Sequence, residues 1–240
     1  MPIPAPLPQN FEEFRSLVLE PDNDGLLVEY LRVYAEDCAY TGAFFHDLSF
    51  AGPSHPDRID IADVASLSLL SVTLNATMAR QLIQRSTWTD ELAKELALEP
   101  DRDLGDLTEA EAARLESEDG LNHAWHRISG IHGIGPTRTS KLLARKRPRL
   151  IPIWDRVIDR TLGLEGTMSY WNAFHTALTI EGRALDMRLA QLGELAGISD
   201  RFSRIRTLDI LAWMHGRSRQ GYEDEILTEL DSERELDRAP

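Results

Sequence analysis

The sequence predicts an all-α protein, two helical lobes around a cleft, with a helix–hairpin–helix over residues 121–147. Apolar residues recur at helical spacing, and capping residues stand where those runs begin. No alternating strand pattern longer than about five residues interrupts them. A chain of 240 residues suffices for one large domain or two small lobes sharing a core. Three stretches are expected within one compact unit: an N-terminal helical region (1–120), the hairpin with a candidate catalytic aspartate (121–165), and C-terminal helices with an acidic tail (166–240).

Residues 1–10 read as a Pro-rich arm, with Asn10 as the N-cap of a helix over 11–19 that Pro21 to Gly25 break. A second helix is expected over 26–39, followed by an aromatic stretch from Tyr40 to Phe50 and a loop at Gly52, Pro53 and Pro56. Asp60 caps an apolar, core-like helix running to Leu74, with Asp63 in its first turn. Further helices are expected over 75–84 and 90–98, and a Thr108–Glu111 capping box opens one reaching Glu116. Beyond the hairpin the pattern predicts helices at 155–162, 168–179, 183–196 and 201–215.

Composition excludes several classes. Cys38 is the single cysteine, so neither an internal disulfide nor a Cys-rich metal site can form, and it reads as a small buried hydrophobe. The N-terminus has no basic cluster before an apolar run, and no stretch approaches a membrane span, so the cytoplasm is the expected compartment. Net charge is −14, which by itself argues against a polyanionic partner. The charge is unevenly spread. Residues 90–119 hold twelve acids and three bases, and 223–237 hold eight acids against Arg234 alone. Between them, residues 136–149 carry Arg138, Lys141, Arg145, Lys146, Arg147 and Arg149 with no acid. Screening over about 8–10 Å lets such a strip act as a positive face on an acidic protein.

That basic strip follows the strongest local signal, Ile131-His-Gly-Ile-Gly-Pro136, set between helical patterns at 121–129 and 136–147. Pro136 suits a first helical position. Gly133 and Gly135 lack a Cβ, so a ligand can approach the backbone, and the first amides of the next helix form a phosphate seat. Gly133, Gly135, Thr137, Arg138, Lys141, Arg145 and Lys146 are the expected DNA contacts. Lys141 reads as a phosphate contact turned away from Thr137.

The pattern resembles the helix–hairpin–helix DNA glycosylases of the endonuclease III and AlkA superfamily. Gly133-Ile-Gly135 follows a hydrophobic residue, and Thr139 is the small residue four positions later. Twenty residues after Gly135, the apolar run Leu150-Ile-Pro-Ile-Trp ends at Asp155, which opens Asp155-Arg-Val-Ile-Asp-Arg-Thr-Leu-Gly163. The likeness covers about forty residues and implies that Asp155 is the catalytic carboxylate. Bifunctional members carry a Schiff-base lysine two residues after the second glycine, where this chain has Thr137, so the resemblance implies hydrolysis without a lyase step. The cluster-binding cysteines of endonuclease III are missing. Over most of its length the chain also resembles an uncharacterised, mostly actinobacterial family, through Tyr40-Thr-Gly, Asp63-Val-Ala, Lys141-Leu-Leu-Ala-Arg-Lys-Arg and Leu208-Asp-Ile-Leu-Ala-Trp-Met.

The chemistry suits the residue: N-glycosidic cleavage builds positive charge on the sugar, which a fixed carboxylate stabilises while it orients water. Asp155 equally reads as a plain N-cap for the helix that follows. A flipped base needs aromatic walls and polar groups to read its edge. Tyr40, Phe45 and His46 form one candidate cluster, Trp125 and Trp154 another, and each also reads as core. The expected partner is double-stranded DNA, bound by a monomer. No metal or cofactor is expected, although a monovalent cation at the hairpin is compatible with the resemblance. A non-enzymatic DNA-binding module and a DNA-mimicking acidic surface stand as alternatives. Which base would be removed, in repair or in defence against phage with modified DNA, is not encoded in these motifs.

Overall fold

A computed structural model of the chain describes residues 6–36, 40–47, 55–99, 101–117, 120–165 and 170–219. Most of the Pro-rich arm, Cys38, Gly52 and Pro53, residues 168–169 and the acidic tail lie outside them. Every regular element among the described residues is helical. In order they are α1 (Gln9–Leu19), α2 (Asp24–Ala35), α3 (Ile61–Ser66), α4 (Ala76–Ile83), α5 (Thr87–Ala97), α6 (Glu109–Leu115), α7 (Leu121–Ser129), α8 (Pro136–Lys146), α9 (Arg156–Leu162), α10 (Tyr170–Ala196) and α11 (204–219).

Side-chain caps open α3, α4, α5, α6 and α9. Asp60 accepts from the Ala62 and Asp63 amides at 2.9 and 3.1 Å, and Asp63 accepts from the Asp60 amide at 2.9 Å. The expected Thr108–Glu111 box is present as well. Asn10 does not cap α1, which starts two residues earlier than expected, after Pro8; the Asn10 amide donates instead to the Arg160 carbonyl at 3.3 Å. The helix expected to reach Leu74 stops at Ser66. It continues as a 3-10 turn over Leu67–Leu70, and Ser71 ends it in the left-handed region (φ 57°, ψ 32°). The two helices expected over 168–179 and 183–196 are both present within α10, separated by a kink at 180–183, where Glu181, Gly182 and Arg183 have positive φ.

One contiguous apolar core runs from Phe11 and Phe14 of α1 through Leu142 and Leu143 of α8 to Leu208 and Leu211 of α11. Within it α10 packs on α1, α2 and α6, α1 covers α9, and α7 pairs with both α5 and α8. The α7–α8 pair therefore stands on a core that holds both helices, with Ile131 and Ile134 of the intervening turn buried as anchors.

Candidate functional site

The turn between α7 and α8 has the expected glycine chemistry, but its two glycines do different work. Gly133 sits at φ +86°, and a Cβ there would lie 2.0 Å from the Met78 methyl of α4. Its close approach is to the protein's own α4. Gly135, the N-cap of α8, has nothing within 4 Å of a Cβ position, and Pro136 and Thr137 beside it are exposed. This open helix start is where first-turn amides can meet an anion. Arg138 braces the turn, donating to the Gly133 carbonyl at 2.9 Å and the Thr73 carbonyl at 3.0 Å. A cation bound at the hairpin carbonyls would share Gly133 with that guanidinium.

Farther along α8 the basic strip dissolves. Lys146 is 2% exposed and pairs with Asp63 while donating to the His55 carbonyl. Arg145 donates to the Phe45 carbonyl at 2.8 Å and lies 3.4 Å from Asp63. Arg147 is buried among the Pro56, Leu96 and Glu99 carbonyls and Asp57. The expectation that Arg145 and Lys146 form a positive DNA-facing surface is thus corrected: they are internal braces that tie α8 to the 55–63 segment. Burial pushes the Asp63 carboxyl up, and the neighbouring Lys146 charge opposes that shift.

Lys141 is corrected in the opposite sense. It follows Thr137 by four residues, one helical turn, so both occupy the same face. Its side chain is 4% exposed, donates to the Leu70 carbonyl at 3.0 Å, and lies 3.6 Å from Asp155 Oδ2. Burial pulls the ammonium pKa down, and the Asp155 charge pulls it part of the way back.

Asp155 caps α9, its Oδ1 accepting the Val157 amide at 2.9 Å, with 27% of its side chain open. It lines a cleft of about 510 Å³ together with Tyr40, Thr137, Lys141, Arg206 and Asp209. The volume is in the range of small-molecule sites. The aromatic wall is built from Tyr34, Tyr40 and Trp213: Tyr34 and Tyr40 stack at 5.5 Å, and Tyr40 meets Trp213 edge-on at 5.4 Å. In the same cleft Arg206 donates to the Tyr34 hydroxyl at 2.6 Å. Asp209, fully buried, accepts the Ile153 amide at 3.0 Å, so it holds the strand of chain that leads into Asp155. Burial pushes the Asp209 carboxyl up to about 7, Asp155 adds to the rise, and Arg206 and the Ile153 amide oppose it.

The other aromatic candidates are not in this cleft. Phe45 is core, and His46 is half-buried beside it with both ring nitrogens enclosed, their burial and then the Arg206 and Arg145 charges holding its pKa well below the usual histidine range. Trp125 and Trp154 stack at 6.3 Å in a separate cluster with Trp171 and Tyr170, and the Trp154 indole donates to Asp159. Sequence reasoning missed Tyr34, Arg206, Asp209 and Trp213, although the Leu208–Met214 stretch had been singled out as a motif. Periodicity assigns these residues to helix faces; only the approach of Arg206 and Trp213 of α11 to Tyr34 of α2 shows which face meets the cleft.

The charges in the cleft oppose those of the molecule. Its charged lining residues are Lys141, Arg156, Arg206 and Arg217 against Asp155 and Asp209, in a chain of net charge −14. Arg156 and Arg217 are exposed, and Arg217 lies 5.7 Å over the Trp213 ring. Among the described residues, no group of three or more His, Cys, Asp or Glu side chains could hold a metal ion, and no helix is long and apolar enough to cross a membrane. No curated protein and no solved structure matches the chain. Residues 26–216 match a family described only as a family of unknown function (DUF6308), and the chain belongs to that family.

Proposed function

We propose that this protein is a monofunctional DNA N-glycosylase, in which α7, the glycine turn and α8 seat a phosphate and Asp155 assists water attack on the sugar of a flipped nucleotide. The observation that carries this reading is the joint placement of Thr137, at the start of the phosphate-seating helix, and Asp155 on one cation-lined cleft. A capped carboxylate is rigid, as electrostatic stabilisation of an oxocarbenium-like sugar requires. At about 4 Å and an effective dielectric near 20, it contributes on the order of 4 kcal/mol, roughly a thousandfold in rate. Asp155→Asn preserves the cap and removes the charge. Abasic-site formation in plasmid, alkylated and modified-base DNA should fall by about that factor, with DNA affinity unchanged. Equal DNA binding by both proteins with no base release from any substrate would leave a non-enzymatic DNA-binding module.

A second reading adds a lyase step. It is favoured by Lys141, a buried amine of lowered pKa 3.6 Å from Asp155. A depressed pKa makes a lysine a better nucleophile toward the opened sugar aldehyde. Borohydride reduction decides between them: a covalent protein–DNA adduct lost in Lys141→Gln establishes the lyase, and no adduct leaves hydrolysis alone.

A further inference from the structure

At one point the cleft carries more hydrogen-bonding capacity than the protein uses. Arg206 is 4% exposed, lines the cleft, and spends its Nη2 on the Tyr34 hydroxyl and, at 3.5 Å, the Gly42 carbonyl. Among the described residues neither Nε nor Nη1 has a hydrogen-bond partner; the nearest counter-charge to Nη1 is Asp209 Oδ2 at 4.0 Å. Asp209, another residue lining the cleft, has a buried Oδ1 without a hydrogen-bond partner among the described residues. Buried polar atoms are normally satisfied, so surplus donors on a permanent cation beside a free carboxyl oxygen mark a place where a ligand supplies the partners.

We propose that Arg206 and Asp209 read the edge of the flipped base and select neutral lactam bases, those with adjacent C=O and N–H groups, over bases that carry a positive charge. The proposal rests on the glycosylase reading above and narrows its substrate class. Arg206 donates to the carbonyl oxygen, and Asp209 Oδ1 faces the ring N–H. The same cation then acts in the reaction. As the C1′–N bond breaks, its electron pair leaves on the base nitrogen and spreads to the carbonyl oxygen beside Arg206. Water oxygen bonds to C1′, and the proton it releases passes by way of Asp155 to the departing base. Negative charge therefore grows where a fixed, water-excluded guanidinium already sits, the arrangement that favours a transition state over a ground state. An N-alkylated purine is already cationic. Beside Arg206 and Lys141 it would add another positive charge to a cleft that already holds four cationic side chains, and it needs no help to leave.

The test uses the full chain and duplex oligonucleotides with one uracil, hypoxanthine or 8-oxoguanine, against duplexes with one 7-methylguanine or 3-methyladenine. Single-turnover release of the lactam bases should exceed that of the cationic bases by at least about tenfold. Arg206→Met should slow lactam release by about a hundredfold while leaving or improving cationic release, so that the preference collapses. Arg206→Lys, which keeps the charge and loses the planar fork, should fall between. A wild-type preference for the alkylated bases, or an Arg206→Met loss equal for both classes, overturns the proposal. If Arg206→Met does not fold, the wild-type ratio and Arg206→Lys still decide. Equilibrium binding of Asp155→Asn to the same duplexes separates this inference from the reading beneath it. Lactam-selective binding without release by wild type would sink the glycosylase and keep the edge reader; unselective binding without release would sink both.

Discussion

Asp155 and Asp209 show how one residue type takes two characters from its surroundings. Asp155 stands at the start of α9, partly open, taking the Val157 amide and lying near the Lys141 ammonium. Asp209 is buried in the cleft wall with one amide partner and a guanidinium 4.0 Å away. Burial favours the neutral form, and its carboxyl is pushed up to about 7 from an ordinary 3.8. The sign of the consequence follows from linkage. The folded state binds this proton more tightly than the unfolded chain, so the stabilisation is complete below about 4 and is lost as pH rises towards 7. Asp209→Asn keeps an acceptor for the Ile153 amide and removes the titration. Relative to wild type, its melting temperature should rise between pH 4 and pH 8, by on the order of 5 °C. A difference that stays constant over that range would show that Asp209 titrates as an ordinary carboxyl.

At the scale of elements, the α7–α8 turn separates fold from contact. Gly133 is required by the fold: its φ of +86° is a backbone conformation that L side chains rarely adopt, and a Cβ would also displace the Met78 methyl. Gly133→Ala should cost about 1–3 kcal/mol, read as a lower melting temperature. Gly135 has ordinary φ and open space. Gly135→Ala should cost at most about 1 kcal/mol, as a poorer N-cap, yet its methyl projects where a phosphate would approach, so DNA affinity should drop several-fold. If DNA binding survives Gly135→Ala, this helix start is not the phosphate seat. The rest of α8 shows why spacing alone misplaced its charges. An amphipathic helix can direct long basic side chains inward when carbonyls and a carboxylate wait there, as the His55 carbonyl and Asp63 do for Lys146.

Over the whole molecule the acidic surface and the cationic cleft act together. A net charge of −14 repels nucleic acid in general, while Arg156 and Arg217 at the cleft offer local counter-charge. On the proposed glycosylase reading, DNA binding should therefore be weak away from the site and steeply salt-dependent at it. Replacing Arg156 and Arg217 singly with Gln should each lower the salt slope of DNA binding by about one and weaken binding alike for all sequences. Slopes unchanged in both variants would move the DNA path away from this cleft.

Sequence alone sufficed for the helical class, the Asp60–Asp63 and Thr108–Glu111 caps and the α7–turn–α8 unit, because these depend on neighbours within four residues. It also placed Asp155 at the start of α9, since a cap is a local contact. It failed at Asn10, whose amide reaches the Arg160 carbonyl instead of capping α1. Only the tertiary structure decided which charges face a cleft and which are buried. Lys146 and Arg147 reach carbonyls about ninety residues away in the chain, and Arg206 reaches Tyr34 across more than a hundred and seventy. A side chain's partner at such separations is set by how helices pack, and the desolvation that then shifts its pKa exists only once they have.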